Sequence, residues 1–474
     1  MSKPAQPVAA SFPSAIEVTS AHRSLARLMK AALCVSLMAA AAGLSAPSKA
    51  GPSVYPAGVT IYKPDLAYRS LVIFSAPDGK THVIDLLGNE VHRWNYAGLP
   101  GDIIAPALAK GEPGHVLLQI ESNGDKRGGI LANKTVGELD WSGRVIWSWG
   151  SQAPDGSARQ NHDWARLANG NTLLLYAQPR VIKELGDKEV ADQGIYEIEP
   201  NGEIVWQWAA ADHLSEFGLS PAGLEFLRNA IAEYPGLDPW GYLEINDMQP
   251  LGSNKWFDAG DARFHPDNIV IDSRKANFVA IISRETGKIV WRLGPYAEND
   301  VYSRDRRILN QTVPRPADQL AGQHNAHLIA KGLPGEGNLL LLDNQGGSGY
   351  PPVPLGIYAG SRILEINPVT QQIVWQYTAA DSGLPSWSFF TSFVGSVQRL
   401  PNGNTLINEG MNGRIFQVTP SGEIVWEYIN PYTSTTSSHG KVIKNSLVYR
   451  ARAVPFDWVP SGTAHNETPS QPAN

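Results

Sequence analysis

Six short segments that each end in tryptophan recur along the chain, and this repeat most constrains its fold. Each follows a turn and resembles Gly202-Glu-Ile-Val-Trp206; the six tryptophans are Trp94, Trp147, Trp206, Trp291, Trp375 and Trp426. Successive tryptophans are 53, 59, 85, 84 and 51 residues apart. A repeat of about fifty residues that is built from short strands is typical of a β-propeller.

Each unit contains a hairpin and an apolar strand that precedes it. In residues 194–208 two alternating runs flank Pro200-Asn201-Gly202, a turn in which glycine supplies a positive φ. The run from Asn169 to Leu175 precedes this hairpin and suits a strand that is buried on both faces. Such sheets bury their faces only by stacking on one another. We therefore predict an all-β fold, a six-bladed β-propeller over residues 51–460 with helical and loop insertions.

The first fifty residues differ from the repeats. Arg23, Arg27 and Lys30 precede an apolar stretch over residues 31–45, and Ser48-Lys-Ala50 follows it as a small-residue cleavage pattern. This arrangement predicts an export signal, a periplasmic or secreted protein and no stable membrane span in the mature chain. An uncleaved membrane anchor remains the alternative. At the other end, we predict that residues 461–474 form a disordered tail.

Composition narrows the function classes. The only cysteine, Cys34, lies in the apolar leader, so a chain that begins near residue 51 has neither a disulfide nor a thiolate metal site. Its 34 basic and 44 acidic residues give a net charge of about −10, which disfavours nucleic acid as a partner. We find no nucleotide-binding motif and predict no metal and no cofactor. The missing cysteines also argue against a quinone-dependent dehydrogenase.

Two insertions interrupt the repeat. Ser220 and Pro221 are an N-cap and a first helical residue, and the apolar spacing that follows predicts a helix that ends at Glu233. A second insertion covers residues 294–322, and a Gly/Pro-rich loop covers residues 344–360. Long loops in a compact fold are commonly functional. We expect both insertions to cover a central pocket.

Polar residues lie just before several inner strands, at corresponding positions of the repeat. They are His162, Glu244, Asn246, His324 and His327; two arginines, Arg274 and Arg362, follow or begin other strands. Innermost strands of a propeller border its central channel, so side chains that are distant in sequence meet there. Guanidinium groups bind paired oxygens, and imidazole acts as a nucleophile, acid or base near neutral pH. The set therefore suits a tetrahedral anion.

Structural roles compete with this interpretation. A histidine in a propeller commonly serves as a hydrogen-bonding residue, and for His162, His324 and His327 the two readings are about equally favoured. Alternation along a strand places His324 and His327 on opposite faces, so one of them is expected to be structural. For Arg166 and Arg399, which precede Asn-Gly turns, solvated or inter-blade ion-pair roles are favoured.

Several motifs resemble those of the bacterial arylsulfotransferase family. They are Asn161-His-Asp-Trp164, Ile271-Asp-Ser-Arg274, Gly322-Gln-His-Asn-Ala326, Leu342-Asp-Asn344 and Ser361-Arg362. The resemblance covers most of residues 60–459. It implies a periplasmic six-bladed propeller that transfers a sulfuryl group from a phenolic sulfate ester to another phenol, without a nucleotide donor. It also implies a two-step exchange through a sulfated histidine, with aryl sulfates and phenols as the ligands.

Matched position by position, the resemblance assigns roles to individual residues. It implies that His324 is the sulfated histidine and that His162 and Arg274 are catalytic, with Asn246, Glu244, Arg362 and His327 in substrate binding. His162 would protonate the departing phenolate and deprotonate the incoming phenol. One departure is clear, because Glu244 stands where the family has a histidine. A non-catalytic propeller that binds sulfated or phenolic ligands is therefore the alternative function.

Overall fold

A computed structural model describes residues 56–122, 133–238, 240–296, 312–353, 360–438 and 440–465. The predicted export signal over residues 1–50 lies outside these ranges, as do residues 466–474 of the predicted tail. His465 is described, and its ring stacks on Phe456 with centroids 4.6 Å apart. Within the described ranges, every helix is too short or too polar to cross a membrane.

Short strands make up most of the regular secondary structure of the described residues. The first eight are β1 (Gly58–Tyr62), β2 (Leu71–Ala76), β3 (Lys80–Ile84), β4 (Glu90–Trp94), β5 (Asp102–Ile104), β6 (His115–Ser122), β7 (Asn133–Leu139) and β8 (Val145–Trp149). The next eight are β9 (Gln160–Arg166), β10 (Thr172–Val181), β11 (Glu189–Ile198), β12 (Ile204–Ala209), β13 (Ile245–Pro250), β14 (Ile269–Ser273), β15 (Phe278–Ile282) and β16 (Ile289–Leu293).

The remaining strands follow in the second half of the chain. They are β17 (Arg315–Pro316), β18 (His324–Leu328), β19 (Leu339–Asp343), β20 (Arg362–Asn367), β21 (Gln372–Tyr377), β22 (Ser396–Arg399), β23 (Thr405–Glu409), β24 (Arg414–Val418), β25 (Ile424–Ile429), β26 (Ser434–Ser438), β27 (Lys441–Asn445) and β28 (Ala451–Val454). Within the described ranges two α-helices interrupt them, α1 (Pro221–Glu233) and α2 (Lys255–Asp258).

The strands form a propeller-like all-β fold, but the predicted count of six separate blades is wrong. Four separate sheets have four or five strands each: β28-β2-β3-β4, β13-β14-β15-β16, β17-β21-β20-β19-β18 and β1-β25-β24-β23-β22. Strands β5 to β12 instead form one eight-stranded sheet. Its two halves are continuous because β7 also pairs with β9, through Asn133 and Gln160. The sequence pattern does not encode that bridge, since it lies between two repeats.

Both ends of the described chain close the arrangement. Strand β28, near the end, pairs with β2 of the first repeat, and β1 pairs with β25 of the last repeat. The closing strand β28 begins at Ala451. Tyr449 and Arg450, which precede it, are buried.

Tryptophans connect each repeat to the next. The indole nitrogens of Trp94, Trp149, Trp208, Trp291, Trp375 and Trp426 donate to backbone oxygens of Asp140, Gly202, Gly287, Pro368, Pro420 and Leu86, respectively, at 2.8–3.0 Å. The last bond returns to the first repeat and completes a circle. Tryptophan side chains therefore link neighbouring repeats. In two repeats the donating indole belongs to Trp149 or Trp208, two residues after Trp147 and Trp206 of the sequence repeat.

Three tryptophans of the sequence repeat lie beneath arginines of the following repeat. They are Trp147, Trp206 and Trp375. Arg166 lies over the Trp147 ring at 5.1 Å and Arg399 over the Trp375 ring at 4.9 Å. The two guanidinium groups also pair with Glu138 and Glu365, at 2.6 and 2.8 Å. The predicted inter-blade ion-pair role of Arg166 and Arg399 is confirmed.

The predicted helix is also present. The Ser220 hydroxyl accepts a hydrogen bond from the Gly223 amide and caps α1, which begins at Pro221. The Phe226 ring of α1 lies 6.3 Å from the ring of Tyr350, which belongs to the loop that was expected to cover the pocket. The Tyr350 hydroxyl donates to the carbonyl oxygen of Tyr242, two residues before Glu244. Helix and loop thus meet beside one of the candidate site residues.

Candidate active site

Four corresponding positions, each in or just before an inner strand, adopt a backbone conformation that is rare for their residue types. His162, Glu244, Asn325 and Val394 have φ values of 54, 48, 58 and 54°. The positions lie in β9, before β13, in β18 and before β22. Left-handed residues other than glycine cost free energy and cluster at functional sites. This shared kink breaks the strand alternation and turns the polar side chains of adjacent repeats towards one another.

His324, in β18, is held by its Nδ1 atom. That nitrogen lies 2.7 Å from Oδ1 of Asn344 and 3.0 Å from the carbonyl oxygen of Gly322. The amide nitrogen of Asn344 donates to the carbonyl oxygens of Thr391 and Val394, so its Oδ1 faces the ring. Two acceptors at Nδ1 require a hydrogen there. The lone pair of the neutral ring is consequently on Nε2, which accepts from the Val394 amide at 3.1 Å.

His162, in β9, has a matching arrangement. Its Nδ1 atom lies 2.9 Å from Oδ1 of Asn161, and Gln193 donates to the same oxygen at 2.8 Å. The two contacts identify that oxygen as an acceptor, so the hydrogen of His162 is also on Nδ1. The ring lies between Trp240 and Tyr449, with centroid distances of 5.9 Å to each.

Burial keeps both imidazoles neutral. Burial, together with the neighbouring His324, Arg450, Lys275 and Arg274, lowers the pKa of His162 to about 3. Burial likewise lowers the pKa of His324 to about 3, with a further contribution from Arg274. His324 and Arg274 therefore both act electrostatically on His162, and the roles of the three as site residues stay predictions. A neutral His162 in the resting protein can accept a proton but carries none to give to a departing phenolate.

Arg274 follows β14 and forms an ion pair with Glu244. Its Nη1 atom lies 3.1 Å from Oε2 of Glu244, and Nζ of Lys275 lies 3.9 Å from the same oxygen. Lys275 also pairs with Asp238 at 2.5 Å. Burial raises the pKa of Glu244, and the nearby Arg274 and Lys275 oppose that increase. The carboxylate thus occupies part of the guanidinium that was expected to bind a substrate anion.

The approach of Arg274 to His324 depends on glycine. Gly322, two residues before His324, has a φ of +74°, and a Cβ there would lie 3.2 Å from Oγ of Ser348 and 3.7 Å from Cγ of Arg274. The Nε atom of Arg274 is buried without a hydrogen-bond partner among the described residues. One donor of the guanidinium therefore remains available beside the histidine.

Asn246 does not offer its amide to a substrate, contrary to expectation. Its Nδ2 atom donates to the carbonyl oxygen of Gln323 at 2.9 Å, and its unpaired side-chain atom within the described residues is the acceptor Oδ1. The Tyr449 hydroxyl donates to the Asn246 carbonyl oxygen at 2.9 Å. Asn246 therefore connects β13 to Gln323, which precedes His324, and to Tyr449, which precedes β28.

Arg362 is also unavailable, so its predicted role in substrate binding is wrong. Its guanidinium donates to both oxygens of Asp318, at 2.6 and 3.1 Å, and to Asp343 at 2.8 Å, and its side chain is 2% exposed. Arg414 occupies the corresponding position of the next repeat and pairs in the same way with Glu409 and Glu427. The pattern identifies Arg362 as a repeat residue that stabilises the sheet.

His327 is separate from the Arg274 group. Its Nδ1 atom lies 2.9 Å from the carbonyl oxygen of Asn325. Burial, together with the nearby Arg452 and Arg450, lowers the pKa of His327 to about 4. The expectation that only one of His324 and His327 faces the pocket agrees with this difference, and His327 is the structural one. It is therefore removed from the substrate-binding set.

Sequence reasoning missed a buried ion-pair cluster beneath these residues. Arg450 donates to Asp163 at 2.9 Å and to Asp247 at 2.6 Å. Burial raises the pKa of Asp247 and of Asp272, and the positive charge of Arg450 opposes both shifts. The cluster ties β9, β13 and the residue before β28 together. Asp163 follows His162 in the chain, but nothing in the sequence indicates that its partner is almost three hundred residues away.

Metal binding has no evident place in this arrangement. Across the described ranges, no group of three or more histidine, cysteine, aspartate and glutamate side chains is placed to hold a metal ion. The polar groups that face one another are instead two neutral imidazoles, one guanidinium and one carboxylate. They are suited to bind and exchange a tetrahedral anion.

Similar solved structures share little sequence with this chain. They include a protein of unknown function from Bacteroides caccae, with 12% identity, 82% of this chain and 99% of that chain covered and a TM-score of 0.43. Another is virginiamycin B lyase from Staphylococcus aureus, with 11% identity, coverages of 84% and 96% and a TM-score of 0.35. No curated protein matches the chain.

The family comparison is more informative. The sequence model of the arylsulfotransferase (ASST) family matches residues 93–450, which include all the residues of the site described above. The match covers well over half of the chain. This protein therefore belongs to the arylsulfotransferase family.

Proposed function

We propose that this protein transfers a sulfuryl group from a phenolic sulfate ester to an acceptor phenol through a covalent intermediate on His324. The family assignment supports sulfuryl transfer in general. The observation that carries the histidine step is the tautomer of His324, whose Nδ1 hydrogen is held by Asn344 and Gly322. The opposite nitrogen, Nε2, thus has the lone pair that a nucleophile needs.

In the first half-reaction, Nε2 of His324 attacks sulfur. A nitrogen–sulfur bond forms, the bond between sulfur and the ester oxygen breaks, and its electron pair leaves with the phenolate. Two donors would hold the sulfuryl oxygens: the Nε of Arg274, which has no hydrogen-bond partner among the described residues, and the Val394 amide, which contacts Nε2 of His324. Because His162 is neutral, the phenolate departs without a proton from the resting imidazole.

In the second half-reaction, an acceptor phenol attacks the sulfur. Its oxygen forms a bond to sulfur, the nitrogen–sulfur bond breaks, and the electron pair returns to Nε2 of His324. The phenol proton passes to Nε2 of His162, whose Nδ1 hydrogen is held by Asn161. His162 later releases this proton to the departed phenolate or to water. Each half is an easier displacement than direct exchange between two phenols.

The aromatic side chains beside His162 support a phenol as the acceptor. The Trp240 side chain is 42% exposed, whereas the Tyr449 side chain is buried and fixed by its bond to Asn246. Both rings lie 5.9 Å from the imidazole. Offset or tilted stacking between aromatic rings is favourable at such distances. A planar ring is therefore the substrate shape that this wall favours.

Two contacts favour the alternative of a ligand-binding propeller without turnover. Glu244 occupies Nη1 of Arg274, and the Val394 amide occupies Nε2 of His324. Either contact lowers reactivity if it persists when the ligand is bound. A binding protein would gain thermal stability from an aryl sulfate without releasing phenol.

An exchange assay distinguishes the two functions. The purified mature protein is given nitrophenyl sulfate with and without a second phenol, and both nitrophenol and the new sulfate ester are quantified. The proposal predicts a stoichiometric burst of nitrophenol alone and continuous release when the second phenol is present. Thermal stabilisation by the ester with no burst and no new ester would contradict the proposal and support the binding function.

Export of the protein remains a proposal that the leader sequence supports. We propose that residues 1–50 are removed and that the mature protein lies in the periplasm or outside the cell. Fractionation of expressing cells, with determination of the mature N-terminus, tests this point. A cytoplasmic protein that retains residues 1–50 would contradict it.

A further inference from the structure

The turn before β22 contacts Nε2 of the His324 ring directly and reaches Nδ1 through the side chain of Asn344. The Val394 amide donates to Nε2 at 3.1 Å, while the Val394 carbonyl accepts from Nδ2 of Asn344 at 3.0 Å. Oδ1 of Asn344 in turn accepts from Nδ1 of His324 at 2.7 Å. One side chain and one peptide unit thus fix the ring from its two opposite edges.

Val394 adopts its conformation because these contacts hold it. A φ of 54° is unfavourable for a β-branched residue and persists only where the surroundings enforce it. Asn344 supplies much of that enforcement, since its amide nitrogen donates to Thr391 and Val394. All three residues are buried. The orientation of the imidazole and the conformation of the turn therefore depend on the same side chain.

We propose that Asn344 is a positioning residue that fixes the tautomer of His324 and couples the ring to the turn Thr391–Val394. This inference rests on the proposed function, in which Nε2 is the attacking atom. With Asn344 in place, the hydrogen stays on Nδ1 and the lone pair on Nε2. When Nε2 bonds to sulfur, the Val394 amide loses its acceptor, and an oxygen attached to that sulfur becomes the nearest replacement.

The chain contains a matched control for this residue. Asn408, the fourth residue of β23, is also buried, and its Nδ2 donates to the carbonyl oxygens of Val448 and Tyr449. Its Oδ1 contacts no histidine and has no partner among the described residues. Replacing Asn408 therefore removes a comparable bridge between backbone carbonyls but leaves the imidazole untouched.

Nitrogen NMR of the protein labelled with ¹⁵N-histidine tests the tautomer without any need for activity. The His324 signals are assigned by their loss in H324Q. We expect a single neutral Nδ1–H form in the parent protein and in N408A. In N344A the Gly322 carbonyl, 3.0 Å from Nδ1, still accepts, but the Val394 turn has lost its bond to Asn344, so we expect an additional Nε2–H population. If N344A does not fold, N344S carries the same prediction, because a hydroxyl there is too short to reach the ring. A pure Nδ1–H form in the folded variant would overturn the proposal.

Kinetics provide the second readout. We expect N344A to lower kcat by about 10²-fold, because a misaligned nucleophile loses its approach geometry, with little change in KM. N344D should regain part of kcat, and its acid limb should move to higher pH because a carboxylate raises the pKa of His324. N408D should show neither effect. Unchanged kcat and pH profile in N344A and N344D would refute the proposal, whereas an inactive parent protein with the expected NMR pattern would refute only the proposed function.

Discussion

The carboxylate of Glu244 and the guanidinium of Arg274 form an ion pair at 3.1 Å, at the position where the family has a histidine. A bound sulfuryl group must compete with this carboxylate for the same cation. The ion pair therefore explains how the chain departs from its family and where that departure has its effect.

Removal of this negative charge should strengthen substrate binding. We expect E244Q to lower the dissociation constant for an aryl sulfate about tenfold, since a like charge no longer lies beside the anion. Isothermal titration measures the constant. D238N is the control, because the ion pair of Asp238 is with the neighbouring Lys275, at 2.5 Å. Weaker binding in E244Q would show that Glu244 assists the ligand rather than competing with it.

Arg362 should matter for stability and not for turnover. Replacing it with glutamine leaves Asp343 buried without its cation and leaves Asp318 with Arg315 alone, which costs about 3–5 kcal/mol of unfolding free energy. Chemical denaturation measures this loss. R414Q, at the corresponding position of the next repeat, should lose a similar amount. A selective loss of sulfuryl transfer in folded R362Q would return Arg362 to the substrate site.

The sequence repeat predicted the propeller-like fold and several site residues because both depend on local patterns. Turns, hairpins and apolar strands are encoded within one repeat, and the innermost strand has a predictable position. The merging of β5–β12 into one sheet was not predictable, because it depends on a single pairing between Asn133 and Gln160. The sequence also did not show that Trp149, rather than Trp147, donates to the next repeat, because this depends on which indole reaches the turn at Gly202.

The same limit applied to the candidate site. His162, His324 and Arg274 could be proposed from the sequence because each lies at a repeated position, and their roles stay predictions. Arg362 was assigned wrongly because a free and a paired arginine look the same in sequence, although its counterpart Arg414 with Glu409 and Glu427 offered a clue. The sequence pattern did not indicate three further groups of the site, because their contacts there are visible only in the folded chain. They are Lys275, Tyr449 and the Val394 amide.

Buried histidines should make the protein less stable in acid. The lowered pKa values of about 3 for His162 and about 4 for His327 mean that the unfolded chain binds more protons than the native protein below about pH 6.5. The free energy of unfolding should therefore fall as pH decreases from 6.5 to 4. Glu244, with its raised pKa, opposes this trend. Urea denaturation of H162Q and H327Q should show a shallower fall; the parental slope in both would contradict the account.

The neutral state of His162 predicts separate effects on the two half-reactions. H162Q should leave the single-turnover burst of nitrophenol within about twofold of the parent rate, yet slow transfer to the acceptor phenol by about 10²-fold or more. Donors with more basic leaving phenols should react progressively more slowly, because no protonated imidazole assists their departure. Stopped-flow absorbance follows the burst for a series of substituted phenyl sulfates. A burst that is lost in H162Q would mean that His162 acts as an acid.

The identity of the sulfated residue tests the central claim most directly. The protein is incubated with nitrophenyl sulfate without an acceptor, quenched in alkali and digested, and the peptides are examined by mass spectrometry. The account predicts an acid-labile sulfuryl adduct on His324, formed in step with the nitrophenol burst and absent from H324Q. An adduct on another residue, or turnover with no adduct at all, would contradict it.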